Sequence, residues 1–130
     1  MPKVLPQLID APPVCCAPIG STPEYPENDA MELAVRLKAL ADPVRLKLIA
    51  HLLGQPNYCA CTCDLAPVLG ISESTASHHL KTLEKAGLLS KYRQGLNVHY
   101  AANIVALQAL GSAVSFQEFS PAPSTGSPCC

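Results

Sequence analysis

A chain of 130 residues with a formal net charge of −1 has room for one domain, and its overall charge decides nothing about a polyanionic partner. No apolar run approaches 18 residues, which excludes a membrane span, and the opening MPKVLPQLIDAPPV lacks the apolar core of a secretion signal. The expected compartment is the cytoplasm, where seven cysteines point to metal binding or redox chemistry rather than to a disulfide framework.

Seven of the 13 prolines fall in the first 26 residues and three in the closing SPAPSTGSPCC. Neither end has periodic apolar positions, so residues 1–28 read as a mobile Pro-rich arm carrying the pair Cys15–Cys16, and 120–130 as a disordered tail. The folding unit is expected over 29–119. Within residues 31–100, eight Lys/Arg stand against five Asp/Glu, a mild lean towards an anionic surface.

In NDAMELAVRLKAL, Asp29 reads as an N-cap, with Met31, Leu33, Ala34, Leu37 and Leu40 as a helical stripe. ADP breaks that helix and starts another, Asp42 capping it and Pro43 taking its first position. Val44, Leu46, Leu48, Ile49, Leu52 and Leu53 make the second helix apolar around much of its girth, as a central helix would be, until Gly54 stops it.

NYCACTCDLA follows, with Cys59, Cys61 and Cys63 at every second position. Thiolates are soft donors, suited to Cd(II), Pb(II), Hg(II), Zn(II) and Cu(I) and to trivalent arsenic and antimony. Pro67 is accommodated most easily in a first helical turn, which places the next helix start near Asp64 with Asp64 as its N-cap. The three cysteines then lie on an extended lead-in, where alternate side chains face one way.

Leu65, Val68 and Leu69 mark a short helix, LGI a tight turn, and Ser72 the cap of a helix running to Ala86 and ended by Gly87. On this last helix Ala76, Leu80 and Leu83 share one face, while Ser74, Thr75, Ser77, His78 and Lys81 present hydroxyls, an imidazole and a cation suited to a major groove. His79 borders the apolar face and reads as a packed structural histidine. LLSKYRQGLNVHYAA alternates about the tip RQGLN, giving a β-hairpin whose Lys91 and Arg93 suit phosphate contacts. NIVALQALGSAVSFQEF closes the unit as a mostly apolar helix, a dimerisation candidate together with the first helix.

LKALADPVRLKLI, ISESTASHHLKTLEKAGLL and RQGLNVHYAA, in that order, resemble the ArsR/SmtB family of metal-sensing repressors over roughly residues 31–110. The resemblance implies a mainly α fold with a β-hairpin wing, a winged helix-turn-helix homodimer on double-stranded operator DNA. The helix at about 73–86 is then the recognition helix, and the terminal helices form the dimer interface. CTCDL is similar to the family's metal box, which implies Cys61 and Cys63 as ligands. The further cysteine some arsenic sensors carry three residues later is Ala66 here, so Cys59 or the arm cysteines Cys15 and Cys16 would complete the set; in related sensors such an arm crosses to the partner subunit. The last helix has no histidine for the family's other, Zn(II)-type site.

The expected function is a repressor, not an enzyme, relieved by As(III) or Sb(III) on three thiolates. Cd(II) or Pb(II) on four, Hg(II) on two, and a thiol redox switch of the same fold are the alternatives. No Cys-x-x-Cys and no βαβ pattern supports a thiol enzyme.

Overall fold

The computed structural model describes residues 16–116 and 119–120; the other residues, Cys15, Cys129 and Cys130 among them, lie outside the described residues. Its elements run α1 (Glu27–Leu40), α2 (Pro43–Leu53), a single 3-10 turn (Pro56–Tyr58), β1 (Cys59–Cys61), α3 (Thr62–Leu69), α4 (Glu73–Lys85), β2 (Leu89–Gln94), β3 (Asn97–Ala102) and α5 (Ile104–Ala113).

Local chemistry explains most of these boundaries. Asp42 accepts from the backbone N–H groups of Val44 and Arg45 at 3.0 and 3.2 Å, capping α2 ahead of Pro43. Ser72 accepts from Thr75 N at 3.1 Å and caps α4. Beyond the α4 cap at Ala86, Gly87 takes a φ of +81°, a left-handed conformation that releases the chain into β2. Gly95 supplies the positive φ of +65° for the two-residue turn joining β2 to β3.

Leu48 and Leu52 of α2, Leu65 of α3, Leu80 and Leu83 of α4, and Leu88 form the centre of the core. Ala76, Leu80 and Leu83 are all fully buried, as the apolar face of α4 predicts. The helix-turn-helix is α3, a turn through Gly70 at φ +69°, and α4; the β2–β3 hairpin is its wing. The architecture is a mainly α winged helix-turn-helix.

Four expectations need correction. First, α1 starts at Glu27 behind Pro26, because the Asp29 carboxylate is used elsewhere, accepting from Ala17 N at 2.7 Å. Tyr25 donates its hydroxyl to the Ala17 carbonyl, and Ile19 N donates to Ala113 O at 3.0 Å. Residues 16–26 are thereby strapped across the start of α1 and the end of α5, where the composition suggests a mobile arm.

Second, the wing has a third strand. β1 pairs antiparallel with β3, giving the order β1-β3-β2 with Cys59 opposite Ala101 and Cys61 opposite His99. Third, α3 begins at Thr62, not at Asp64. The Cys61 sulfur accepts from Cys63 N at 3.2 Å and does the capping, leaving Asp64 in the first turn and Pro67 inside the helix. Fourth, α5 ends at Ala113, short of residue 119.

Much of the apolar surface of the helices is outside. Met31 and Val35 of α1 are 60% and 55% exposed, Leu46 of α2 53% and Val68 of α3 57%. Hydrophobicity says that a residue seeks burial, not that its own chain provides it.

Asn103 is the buried polar hinge between wing and α5. Its Nδ2 donates to Gly87 O at 3.1 Å, and its Oδ1 accepts from Ala106 N at 3.2 Å, capping α5. Asn103→Ala strands both backbone partners and should cost about 1–3 kcal/mol, read as a lower urea midpoint at unchanged slope.

Candidate metal centre and nucleic-acid interface

The cysteine segment is delivered by an uncommon backbone. Asn57 and Tyr58 both have φ near +58° (58° and 57°), a region that non-glycine residues seldom occupy. They turn the chain out of α2 and its 3-10 turn directly into β1. Strain of this kind persists only where the surroundings impose it, and here it sits next to the three thiols.

The three cysteines do not act alike. Cys61 and Cys63 are brought together, their sulfurs joined as a disulfide with Cα atoms 5.2 Å apart. A disulfide offers no thiolate, so ligation by this pair belongs to its reduced form. Cys59 goes elsewhere. Its sulfur accepts a hydrogen bond from Tyr92 Oη at 3.3 Å, and Tyr92 stacks on His99 with ring centroids 5.3 Å apart. The Tyr92 phenol is pushed up to about 12, first by this hydrogen bond and then by burial, so it stays protonated and donating across the physiological range.

Cys16 is separate again. It packs at the edge of the core near Tyr25 and Asp29, and burial, Cys16 and Asp29 together push the Tyr25 phenol up. Among the described residues, no cluster of three or more His, Cys, Asp or Glu forms a ready metal cage. Of the expected set Cys15, Cys16, Cys59, Cys61 and Cys63, Cys15 lies outside the described residues, and Cys61 and Cys63 are brought together as a close pair. The donor chemistry of that pair, two adjacent sulfurs, suits a thiophilic ion once reduced.

The side chains expected on DNA are accessible to solvent. Ser74, Thr75, His78 and Lys81 of α4 are exposed, as are Lys91 and Arg93 of the wing, and Ser77 is half-buried. Ser72 donates to Thr75 Oγ1 at 2.8 Å and lies 3.3 Å from Ser74 Oγ, so these hydroxyls are ordered at the start of α4. His79 points away from this surface; its Nδ1 accepts from Arg45 Nε at 3.0 Å, the packed role its position suggests.

One cleft of about 290 Å³ joins the two sites. Cys61, Thr62 and Cys63 form one wall, Glu73, Ser77 and Lys81 of α4 a second, and Lys91 with Leu96–Val98 of the wing a third. Sequence order alone could not place the cysteines beside Lys91, because that neighbourhood depends on the unforeseen β1–β3 pairing. Nothing local in the sequence marks Thr62, whose Oγ1 donates to Val98 O at 3.1 Å, or the partnership of Tyr92 with Cys59.

Residues 42–91 match the model of the bacterial regulatory protein arsR family. The chain is 40% identical over 74 residues to a transcriptional repressor SmtB homolog of Synechocystis, covering 57% of this chain and 54% of that one. It is 35% identical over 82 residues to the cadmium resistance transcriptional regulatory protein CadC of Listeria innocua, covering 62% of this chain and 67% of that one. The chain thus spans about half to two thirds of the length of these curated relatives. Among solved structures, the AntR antimony-specific transcriptional repressor superposes with a TM-score of 0.59 at 28% identity, covering 71% of this chain and 82% of AntR. A helix-turn-helix with a β wing, carrying this sequence, belongs to the ArsR/SmtB family of bacterial transcriptional regulators.

Proposed function

We propose that this chain is a repressor that holds double-stranded operator DNA as a homodimer in the cytoplasm and lets go when a thiophilic ion, As(III) or Sb(III) first, binds reduced Cys61 and Cys63. The observation that carries the reading is the shared cleft: the two cysteines line the same cavity as Ser77, Lys81 and Lys91. An occupant of the cysteine pair changes shape and charge where DNA would lie.

On the DNA side, Ser74, Thr75, Ser77 and His78 reach base edges from α4. Lys81, Lys91 and Arg93 hold phosphates on either side of the groove. The exposed apolar side chains of α1 and those beyond α5, Met31, Val35 and Phe116 among them, supply the surface a second copy would cover. On the ligand side, the reduced pair gives two thiolates at the start of α3, where the helix dipole favours the anionic form. Pyramidal As(III) prefers three. The third comes from Cys15 or Cys16 of the second copy, since Cys59 is held by Tyr92 outside the cleft. Likeness to a cadmium regulator and to an antimony repressor supports a soft ion and leaves Cd(II) and Pb(II) as the competing inducers.

A second reading, a redox switch, is favoured by the Cys61–Cys63 disulfide itself. In that case oxidation closes the pair, and reduction restores DNA binding.

Fluorescence anisotropy on the promoter fragment separates these readings. Under reducing conditions, stoichiometric As(III) should release the protein, with Cd(II) weaker. Cys61→Ser and Cys63→Ser should abolish release, while Cys59→Ser should keep it. Release by oxidant and by neither ion would overturn the metal reading in favour of the switch. In the same assay Lys91→Ala, which removes one cation from each copy of the dimer, should weaken binding evenly across sequences and reduce the slope of log affinity against log salt by about 2.

A further inference from the structure

We infer that the Thr62 hydroxyl is the positioning group that carries the state of the Cys61–Cys63 pair to the wing. The inference rests on the reading of that pair as the inducer site. Thr62 lies between the two cysteines and is the first residue of α3. A threonine at a helix start ordinarily turns its hydroxyl to nearby backbone groups. Here the Cys61 sulfur already takes the Cys63 N–H at 3.2 Å, and the Thr62 hydroxyl reaches across 36 residues of sequence to donate to the Val98 carbonyl at 3.1 Å.

Val98 stands opposite Arg93 in the β2–β3 ladder, and it lines the cleft together with Lys91. The β1–β3 pairing ends at Cys61 opposite His99, so the Thr62 bond extends that connection by one residue, by side chain where the backbone ladder stops. Whatever fixes both sulfurs fixes the backbone on each side of Thr62. A shift of that backbone reaches the wing through Val98 and tilts the strand carrying Arg93. The other side-chain link between this segment and the wing, Tyr92 to Cys59, lies at the far end of β1 and does not touch the paired cysteines.

The test compares wild type with Thr62→Val, which keeps the shape and loses the donor, and Thr62→Ser, which keeps the donor. For each, promoter affinity is measured by anisotropy without ion, with As(III) and with Cd(II), and the affinity ratio is normalised to that variant's own ion-free value. Thiolate charge-transfer absorbance reports whether Cd(II) still loads. The expected result is that Thr62→Val loads Cd(II) at wild-type stoichiometry, but the factor by which the ion lowers its promoter affinity falls to about a fifth or less of the wild-type factor, a change within the range of allosteric couplings. Thr62→Ser should restore the ratio. If Thr62→Val does not fold, Thr62→Ala makes the same comparison. A wild-type ratio in Thr62→Val, or a lost response in Thr62→Ser, overturns the inference while leaving the inducer site standing. A wild type that neither ion releases overturns both.

Discussion

Three residue pairs hold the functional architecture together. Cys59, Ala60 and Cys61 align antiparallel with Ala101, Tyr100 and His99, and this short ladder makes the cysteine segment an edge strand of the wing. Without it, the cysteines would sit on a lead-in loop whose motion need not reach anything. With it, the loop ahead of the helix-turn-helix and the hairpin behind it become one sheet, and α4 is packed beside that sheet. A three-residue strand is a weak element alone. Its stability here derives from Tyr100, Ala101 and Ala102 of β3, all buried, and from the Thr62 and Tyr92 side-chain bonds at its two ends.

The division of labour among the cysteines follows from the same geometry. Alternation along an extended strand puts Cys59 and Cys61 on a common side, but Cys63 has already entered the first turn of α3. Helical rotation brings its sulfur back towards Cys61, while Cys59 is left facing Tyr92. Pro67 sits inside this eight-residue helix, where it lacks the N–H that would have served the Cys63 carbonyl and sets its ring against that carbonyl. That carbonyl belongs to one of the two paired cysteines, so the helix is least self-supporting where the inducer would act.

The parts of the fold that were legible in the sequence are those decided within a few residues. Asp42–Pro43, Ser72 and Gly87 set helix ends through contacts no further than three or four positions away, and the 3.6-residue period at Ala76, Leu80 and Leu83 fixes which side of α4 is buried. The Asp29 cap failed for a related reason: its carboxylate had a competing partner twelve residues back, in a segment whose composition looked structureless. β1 was invisible because its partner lies about forty residues downstream, and three residues carry no periodicity to detect. The site was legible as a class of donor. Its members were not separable, because Cys59, Cys61 and Cys63 differ only in what the tertiary fold places opposite them. Leu46 was expected inside with the rest of a central helix, because no local signal distinguishes a core position from one left facing outward.

The small charge of the chain fits this arrangement. A net charge of −1 gives little long-range pull towards DNA, so on the proposed reading affinity would come from cations placed at the surface itself, such as Lys81 on α4 and Lys91 and Arg93 on the wing. Two of these three, Lys81 and Lys91, line the cleft beside the cysteine pair. Allosteric couplings are typically about 1–3 kcal/mol, comparable to losing good register at a few contacts. A regulator whose DNA affinity is concentrated in a few cations around one cavity therefore needs no large rearrangement to let go. On the proposed reading, a shift of the wing against α4 that spoils how Lys81 and Lys91 would straddle the groove is enough, and the β1–β3 ladder offers a path for such a shift from the cysteines.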